Sequence, residues 1–258
     1  MGSAAGRSYV PLVNTDAALG EEREGEDEDT YRILVPAANP TADARLVDLA
    51  CALAAGREPA VVHVTHVVPD RRSARYGTAG RERLVAESEV VPGEVREREV
   101  PEGVTTETST VVSHRSSGEV LTAARRERTD LVVVGWGADR PWSGARAGRP
   151  LDDLASYLPC DLLVFKDQGF DASRVLVPTA GGLDFDLSVE TARALRAGLG
   201  SAVTLLRVID GPGECEAAER DLAAWVANHG LDDAERIIND GGKTSNAQSL
   251  GKRPITPW

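Results

Sequence analysis

Five short apolar runs alternate with segments of helical periodicity in the first two thirds of the chain. Most of these runs are continuous in Val, Ile and Leu, which indicates strands that are buried on both faces. Strands that alternate with helices predict a parallel sheet, because right-handed crossovers place the helices on both of its faces. The predicted strands are RILVPA at 32–37, AVVHVTHVV at 60–68, VTTETSTVV at 104–112, LVVVG at 131–135 and LLVFK at 162–166.

Helix signals occupy the segments between these strands. Asn39 is predicted to be the N-cap of the first helix, with Pro40 in its first turn and Gly56 at its end. Further helices are predicted at about 79–90, from Ser116 to about Arg128, and at about 150–157.

The strand pattern begins again at residue 174, which predicts an internal repeat. RVLVPTAGG at 174–182 is similar to RILVPAANP at 32–40, and VTLLRVID at 203–210 is similar to VVHVTHVVPD at 61–70. The second copy has no sequence counterpart of the Gly-rich loop at 135–148 or of the last two strands. The predicted organisation is an acidic disordered tail at 1–30, a complete domain at 31–167, a partial second copy at 173–242 and an unrelated tail at 243–258.

The chain is acidic and poor in lysine. Its formal net charge is -12, and Lys166, Lys243 and Lys252 are its only lysines. This charge argues against nucleic acid as a partner, because phosphate contacts need basic patches. The composition suits a salt-rich cytoplasm, whereas codon bias in a GC-rich genome is the alternative explanation. No apolar run approaches 18 residues and no signal-peptide pattern is present, so we expect a cytoplasmic location.

The motifs resemble the universal stress protein (UspA-like) family. They are the RILVP strand, the second strand ending in THVVPD, the strand DLVVVGW, the Gly-rich loop and PCDLLVFK. The resemblance covers 31–167 and about half of another domain at 173–242. It implies a doubly wound parallel five-stranded sheet in the order 3-2-1-4-5, of the adenine nucleotide alpha hydrolase-like type. Bound ATP or AMP would then lie at the switch point between strands 1 and 4.

Three segments are most similar to the tandem domains of haloarchaeal amino acid permeases. These segments are VPAANP, SHRSSGEVLTAARRERTDLVVVGW and PCD. The resemblance implies a transporter membrane domain as a partner. Pairing of family members through the fifth strand also implies a homodimer through strand 162–166.

The family's phosphate motif, Gly-x2-Gly-x9-Gly-Ser/Thr, is only partly kept. Its outer glycines correspond to Gly135 and Gly148. The middle glycine corresponds to Ala138, beside Gly137, and the hydroxyl position is Arg149. Loss of the middle glycine hinders a close backbone approach to a phosphate, although arginine can supply charge instead. The alternative is a loop that only turns the chain.

The nucleoside end of the expected site also departs from the family. ATP-binding members have an aspartate two residues after the strand-1 proline, where this chain has Ala38 and the second copy has Ala180. Asn39 is the neighbouring polar residue, and Val67 matches the position whose backbone meets the base. The candidate nucleotide-binding residues are Pro36, Ala37, Ala38, Asn39, Val67, Gly135, Gly137, Gly148 and Arg149.

Catalysis and metal binding receive little support from the sequence. His63 and His66 lie three apart, so on a strand they face opposite sides, and each is interpreted as a satisfied buried histidine. No nucleophile and base have a recognisable spacing. We therefore expect a non-enzymatic regulatory module with degenerate nucleotide binding, as the cytosolic part of an amino acid transporter. The alternative is a stand-alone ATP- or AMP-binding stress-response protein.

Overall fold

The computed structural model describes residues 29–37, 43–69, 100–113, 116–136, 148–179 and 186–239. The first unit contains one five-stranded sheet in the order β3-β2-β1-β4-β5. All neighbouring strands in this sheet run parallel. The α/β fold class and the strand order that were predicted are therefore confirmed.

The elements of the first unit follow the predicted alternation. Its strands are β1 Tyr31–Ala37, β2 Ala60–Pro69, β3 Val104–Ser113, β4 Leu131–Gly135 and β5 Asp161–Phe165. Its described helices are α1 Ala44–Ala54, α2 Ser116–Arg126 and α3 Gly148–Tyr157. The helix predicted at 79–90 and the loop residues 137–147 lie outside the described residues.

The prediction for the start of α1 was wrong. The N-cap position is Asp43, whose carbonyl accepts hydrogen bonds from the N–H groups of Leu46 and Val47, and not Asn39. The Asp43 side chain makes no capping hydrogen bond, so this start was not signalled by a capping side chain, and Asn39 lies outside the described residues. The predicted end is confirmed, because Gly56 adopts φ 81, the left-handed conformation that follows many helices.

The strand β1 is the centre of the first core. Ile33, Leu34 and Val35 are each at most 1% exposed, and their side chains alternate between the two faces of the sheet. Leu34 belongs to a buried cluster that joins β4 to α2 and α3. The other members of that cluster are Val120, Ala123, Ala124, Val132, Val134 and Leu154. A strand buried on both faces explains the continuous apolar run in the sequence.

The second unit repeats the first three strands. Its elements are β6 Arg174–Thr179, α4 Asp186–Leu199, β7 Ala202–Val208, a 3₁₀ turn at Pro212–Glu214, α5 Cys215–Asn228 and β8 Glu235–Asn239. They form a parallel three-stranded sheet in the order β6-β7-β8. Leu205 from β7 and Leu222 from α5 are at the centre of its core. No described helix is both long and apolar enough to cross a membrane.

We predict that Leu34→Ala loosens the whole first sheet. The side chain is 1% exposed, so its truncation removes apolar contacts and leaves a cavity, at a cost of about 3 kcal/mol. Hydrogen exchange measured by mass spectrometry should show protection in β1 and β4 falling by roughly 100-fold.

The matched control is Leu176→Ala in β6, where the leucine is 58% exposed. This change should leave protection in β1 and β4 within about twofold of the parent. Equal effects of the two substitutions would contradict a core centred on β1.

Candidate functional site

The switch point of the sheet lies between β1 and β4. β1 pairs with β2 along its whole length, from Tyr31 to Ala37. Its pairing with β4 covers only Ile33 and Leu34. The pairing of β1 with β4 therefore stops short of their carboxyl ends, which is where an open α/β sheet is expected to form a crevice. Ligands of open α/β sheets bind in such crevices.

Several predicted site residues lie on this edge of the sheet. Pro36 and Ala37 end β1, Val67 lies near the end of β2, and Gly135 ends β4. Ala37 and Val67 are fully buried, so they can contribute backbone atoms and shape but no side-chain chemistry. Ala38, Asn39, Gly137 and Ala138 lie outside the described residues.

The first turn of α3 supplies the remaining two site residues. This helix begins at Gly148, two residues earlier than predicted, with Arg149 as its second residue. α3 leads back to the start of β5, so its N-terminus lies at the same edge as the end of β4. Helix N-termini present N–H groups that favour anions. Pro150 has no N–H, which leaves the backbone of Gly148 and Arg149 as the donors of that first turn.

The N-terminus of α1 follows β1 at the same edge of the sheet, and the carboxyl group of Asp43 lies there. Asp43 is 1% exposed, and a negative charge at a helix N-terminus is favourable. The buried side chain of Asp43 occupies this helix start, so an anionic ligand is expected to lie towards α3. Asp43 was not among the predicted site residues, although it lies shortly before Leu46, where the apolar periodicity of the helix begins.

An ion pair between Arg45 and Asp167 lies at the same edge of the sheet. The Arg45 Nη1 atom lies 3.1 and 3.2 Å from the two carboxylate oxygens of Asp167, which follows β5. Asp167 Oδ1 also accepts hydrogen bonds of 3.0 Å from the N–H groups of Gly169 and Phe170. Desolvation raises the pKa of Asp167, but the hydrogen bonds from these N–H groups and the charge and hydrogen bond of Arg45 together outweigh it and lower the pKa. Arg45 is well exposed, so the pair adds little stability.

A separate polar cluster lies in the middle of β2 and β3. His63 Nε2 is 2.8 Å from Ser109 Oγ, which is 3.2 Å from Thr65 Oγ1. His63 Nδ1 lies beside Glu127 Oε2. The order Ser, His and Glu resembles a catalytic triad, but Ser109 is only 5% exposed and cannot meet a substrate. The interpretation of His63 as a satisfied buried histidine holds only in part, because the residue is half-buried and its Nδ1 atom makes no hydrogen bond.

The cysteines do not add a reactive site. Cys51, Cys160 and Cys215 form no disulfide in the part of the chain that the structure describes, and Cys51 is buried. Burial, with the carboxylates of Asp161 and Asp130 nearby, raises the pKa of Cys160 to about 11. A thiol with that pKa carries almost no thiolate at neutral pH, so Cys160 is expected to be unreactive.

Comparison with known proteins decides the family. A sequence model of the Universal stress protein family matches residues 30–166, more than half of the chain. The chain belongs to the universal stress protein family. No curated protein matches it.

Solved structures show the same fold. The cytoplasmic domain of a prokaryotic cation chloride cotransporter aligns with a TM-score of 0.56 and 12% identity, covering 81% of this chain and 78% of that one. A universal stress protein from Archaeoglobus fulgidus aligns with a TM-score of 0.54 and 16% identity, covering 81% and 75%. Both alignments extend beyond the residues that the family model matches.

We predict that the turn after β5 depends on the Asp167 carboxylate. Asp167→Ala removes the acceptor for two N–H groups, so the amides of Gly169 and Phe170 should exchange at least several-fold faster in NMR measurements. The pKa of Asp167 is lowered in the folded protein, so its contribution is present above its unfolded pKa and is lost as the pH falls through the folded value.

Asp167→Asn is the matched control for charge. The amide oxygen can still accept both hydrogen bonds, so protection of Gly169 and Phe170 should largely persist while the charge attraction to Arg45 is lost. If the Gly169 and Phe170 amides exchange equally fast in both variants, the charge attraction to Arg45, and not the hydrogen bonds of the turn, holds this segment.

Proposed function

We propose that this universal stress protein domain is a non-enzymatic regulatory module whose nucleotide binding is degenerate. The carrying observation is a sheet that keeps the family's switch point between β1 and β4, while the residues expected to hold a ligand there differ from those of ATP-binding members. Ala38 stands where ATP-binding members have an aspartate, Ala138 replaces the middle glycine, and Arg149 replaces the hydroxyl residue.

The described geometry supports a weakened site. Gly148 and Arg149 retain N–H groups at the start of α3, but two backbone donors alone are too little to hold a nucleotide at millimolar concentration. The buried Asp43 carboxylate occupies the start of α1, and Ala37 and Val67 offer only backbone and apolar surface. No side chain at the described end of β1 can hold a ribose hydroxyl.

We further propose that the module works in the cytosol beside the membrane domain of an amino acid transporter. The structural neighbour from a cation chloride cotransporter supports this, because its fold is that of a cytoplasmic domain of a transporter. The acidic charge fits a protein partner or small molecule better than nucleic acid. A stand-alone ATP- or AMP-binding stress-response protein is the alternative.

Titration calorimetry with ATP and AMP in molar potassium chloride distinguishes these functions. A degenerate site predicts no heat and no thermal shift at millimolar nucleotide. Affinity near the micromolar range would contradict the proposal and favour the stand-alone nucleotide-binding protein.

Restoring the family motif tests whether its three departures cause the proposed weak nucleotide binding. The triple substitution Ala38→Asp, Ala138→Gly and Arg149→Ser restores the family motif, so we expect ATP affinity to rise by about 30-fold, since the Asp and Ser side chains each restore a hydrogen bond of about 1 kcal/mol. The matched control is Ala180→Asp, the equivalent change in the second copy, which has no sequence counterpart of the Gly-rich loop. Binding by the control alone would show that the loop is not required.

We also propose a homodimer through β5, the edge strand of the first sheet. Val164 in this strand is 43% exposed, and an apolar edge strand is a ready surface for pairing. Light scattering of the parent should show a dimer, and Val164→Lys should shift it to monomer because a charge on an edge strand opposes pairing. A monomeric parent at high concentration would contradict this proposal.

A further inference from the structure

One face of the sheet in the second unit exposes large apolar side chains. On the opposite face, Val177 and Leu205 lie in a buried core with residues of α4 and α5. On the exposed face, Leu176 of β6 is 58% exposed and Val208 of β7 is 57% exposed. A group of exposed apolar side chains on one surface indicates an interaction site.

The strand register shows which residues share this face. Thr204 on β7 is the register partner of Leu176 on β6 and of Glu235 on β8, so these three side chains point to the same side. A hydrogen bond of 3.2 Å from Thr204 Oγ1 to Glu235 Oε2 agrees with this placement. Alternate residues along the strands add the remaining members. We call this surface the open face, and its large apolar residues are Leu176, Leu206, Val208 and Ile237.

The first unit shows what covers the equivalent face of its own sheet. Leu34, which corresponds to Leu176 in the repeat, is 1% exposed because residues of α2, β4 and α3 pack against it. Val67, which corresponds to Val208, is fully buried. In the described part of the second unit, β6 is an edge strand that pairs only with β7. A helix followed by an apolar strand, as in α2 and β4, is therefore the kind of element that this surface fits.

The open face is more apolar than its counterpart in the first unit. By register, Leu206 and Ile237 occupy the positions of Thr65 and Ser109, whose hydroxyl groups are hydrogen-bonded to each other. Covering Leu206 and Ile237 with polar groups would leave those groups without partners, which is costly. A matching helix must therefore present apolar side chains at these two positions.

Charge further defines the matching helix. In the first unit, Glu127 directly follows α2 and lies beside His63. In the second unit, Thr204 occupies the position of His63, and the exposed Glu235 occupies that of Glu107. A carboxylate at the helix end would meet the carboxylate of Glu235 beside a threonine, whereas a lysine or arginine would be attracted to it. A cation at the end of a helix is also favoured by the helix dipole.

We propose that the open face and the free edge of β6 bind a helix–strand element of a partner protein. The helix of this element carries an apolar stripe and ends in a lysine or arginine. It covers Leu176 and Val208, while its strand extends the sheet beside β6. The formal net charge of -12 also favours a basic partner segment. The open face belongs to the second sheet, so its role does not depend on nucleotide binding at the switch point of the first.

Fluorescence anisotropy of a labelled peptide tests this surface on the full chain. The probe spans residues 116–136, which contain α2 and β4, and carries Glu127→Lys. We expect saturable binding, and we expect Leu176→Asp and Val208→Asp each to weaken it by at least about tenfold, because each buries an unpaired charge in the complex. Hydrogen exchange should show that β6 gains protection when the peptide is bound.

The matched control is Leu199→Asp at the end of α4. Leu199 is 48% exposed but does not belong to the open face, so its substitution should change the affinity by less than about twofold. The unmodified peptide, which keeps Glu127, is the control for charge. It should bind about fivefold more weakly than the lysine peptide at low salt, and this difference should disappear in molar potassium chloride.

Four outcomes would overturn the proposal. They are no binding of the lysine peptide, an equal loss of affinity in the Leu199→Asp variant, equal affinity of the two peptides at low salt, and self-association of the parent chain that Leu176→Asp abolishes. The last outcome would show that a second copy of this chain occupies the open face.

Discussion

The parallel pairing of β1 with both β2 and β4 is the constraint on which the first unit depends. It places one apolar strand at the centre of the sheet, with Leu34 against α2 and α3 and with Ile33 and Val35 on the opposite face. The same pairing creates the switch point, because the chain leaves β1 towards β2 and returns to β4 on the other side. The core and the crevice therefore have one structural cause.

This arrangement allows a ligand site to change without a loss of fold. The residues that build the crevice, such as Ala37 and Val67, are buried and apolar, and they are also core residues. The expected ligand-holding positions follow the strands in the sequence instead, at Ala38, Ala138 and Arg149, and we propose that they can change without altering the sheet. A universal stress protein domain can accordingly keep its architecture while its nucleotide chemistry weakens.

The sequence predicted the sheet well because its signals are local. The apolar run of β1 and the five-residue β4 each identify their own strand, and strand order follows from the family resemblance. The prediction for the N-cap of α1 was wrong because Asn39 and Pro40 are a strong local start signal, whereas α1 begins after Asp43, whose side chain makes no capping hydrogen bond. The pairing of His63 with Glu127 could not be predicted, since it joins residues distant in sequence that meet only when α2 packs on the sheet. The contact of Arg45 with Asp167 could not be predicted for the same reason.

The central claim is that the crevice between β1 and β4 persists while its nucleotide chemistry is degenerate. A crystal structure of the full chain grown with millimolar ATP tests this most directly. The account predicts the strand order β3-β2-β1-β4-β5 with no nucleotide between the ends of β1 and β4. An ATP molecule whose phosphates accept hydrogen bonds from the N–H groups of Gly148 and Arg149 would contradict it.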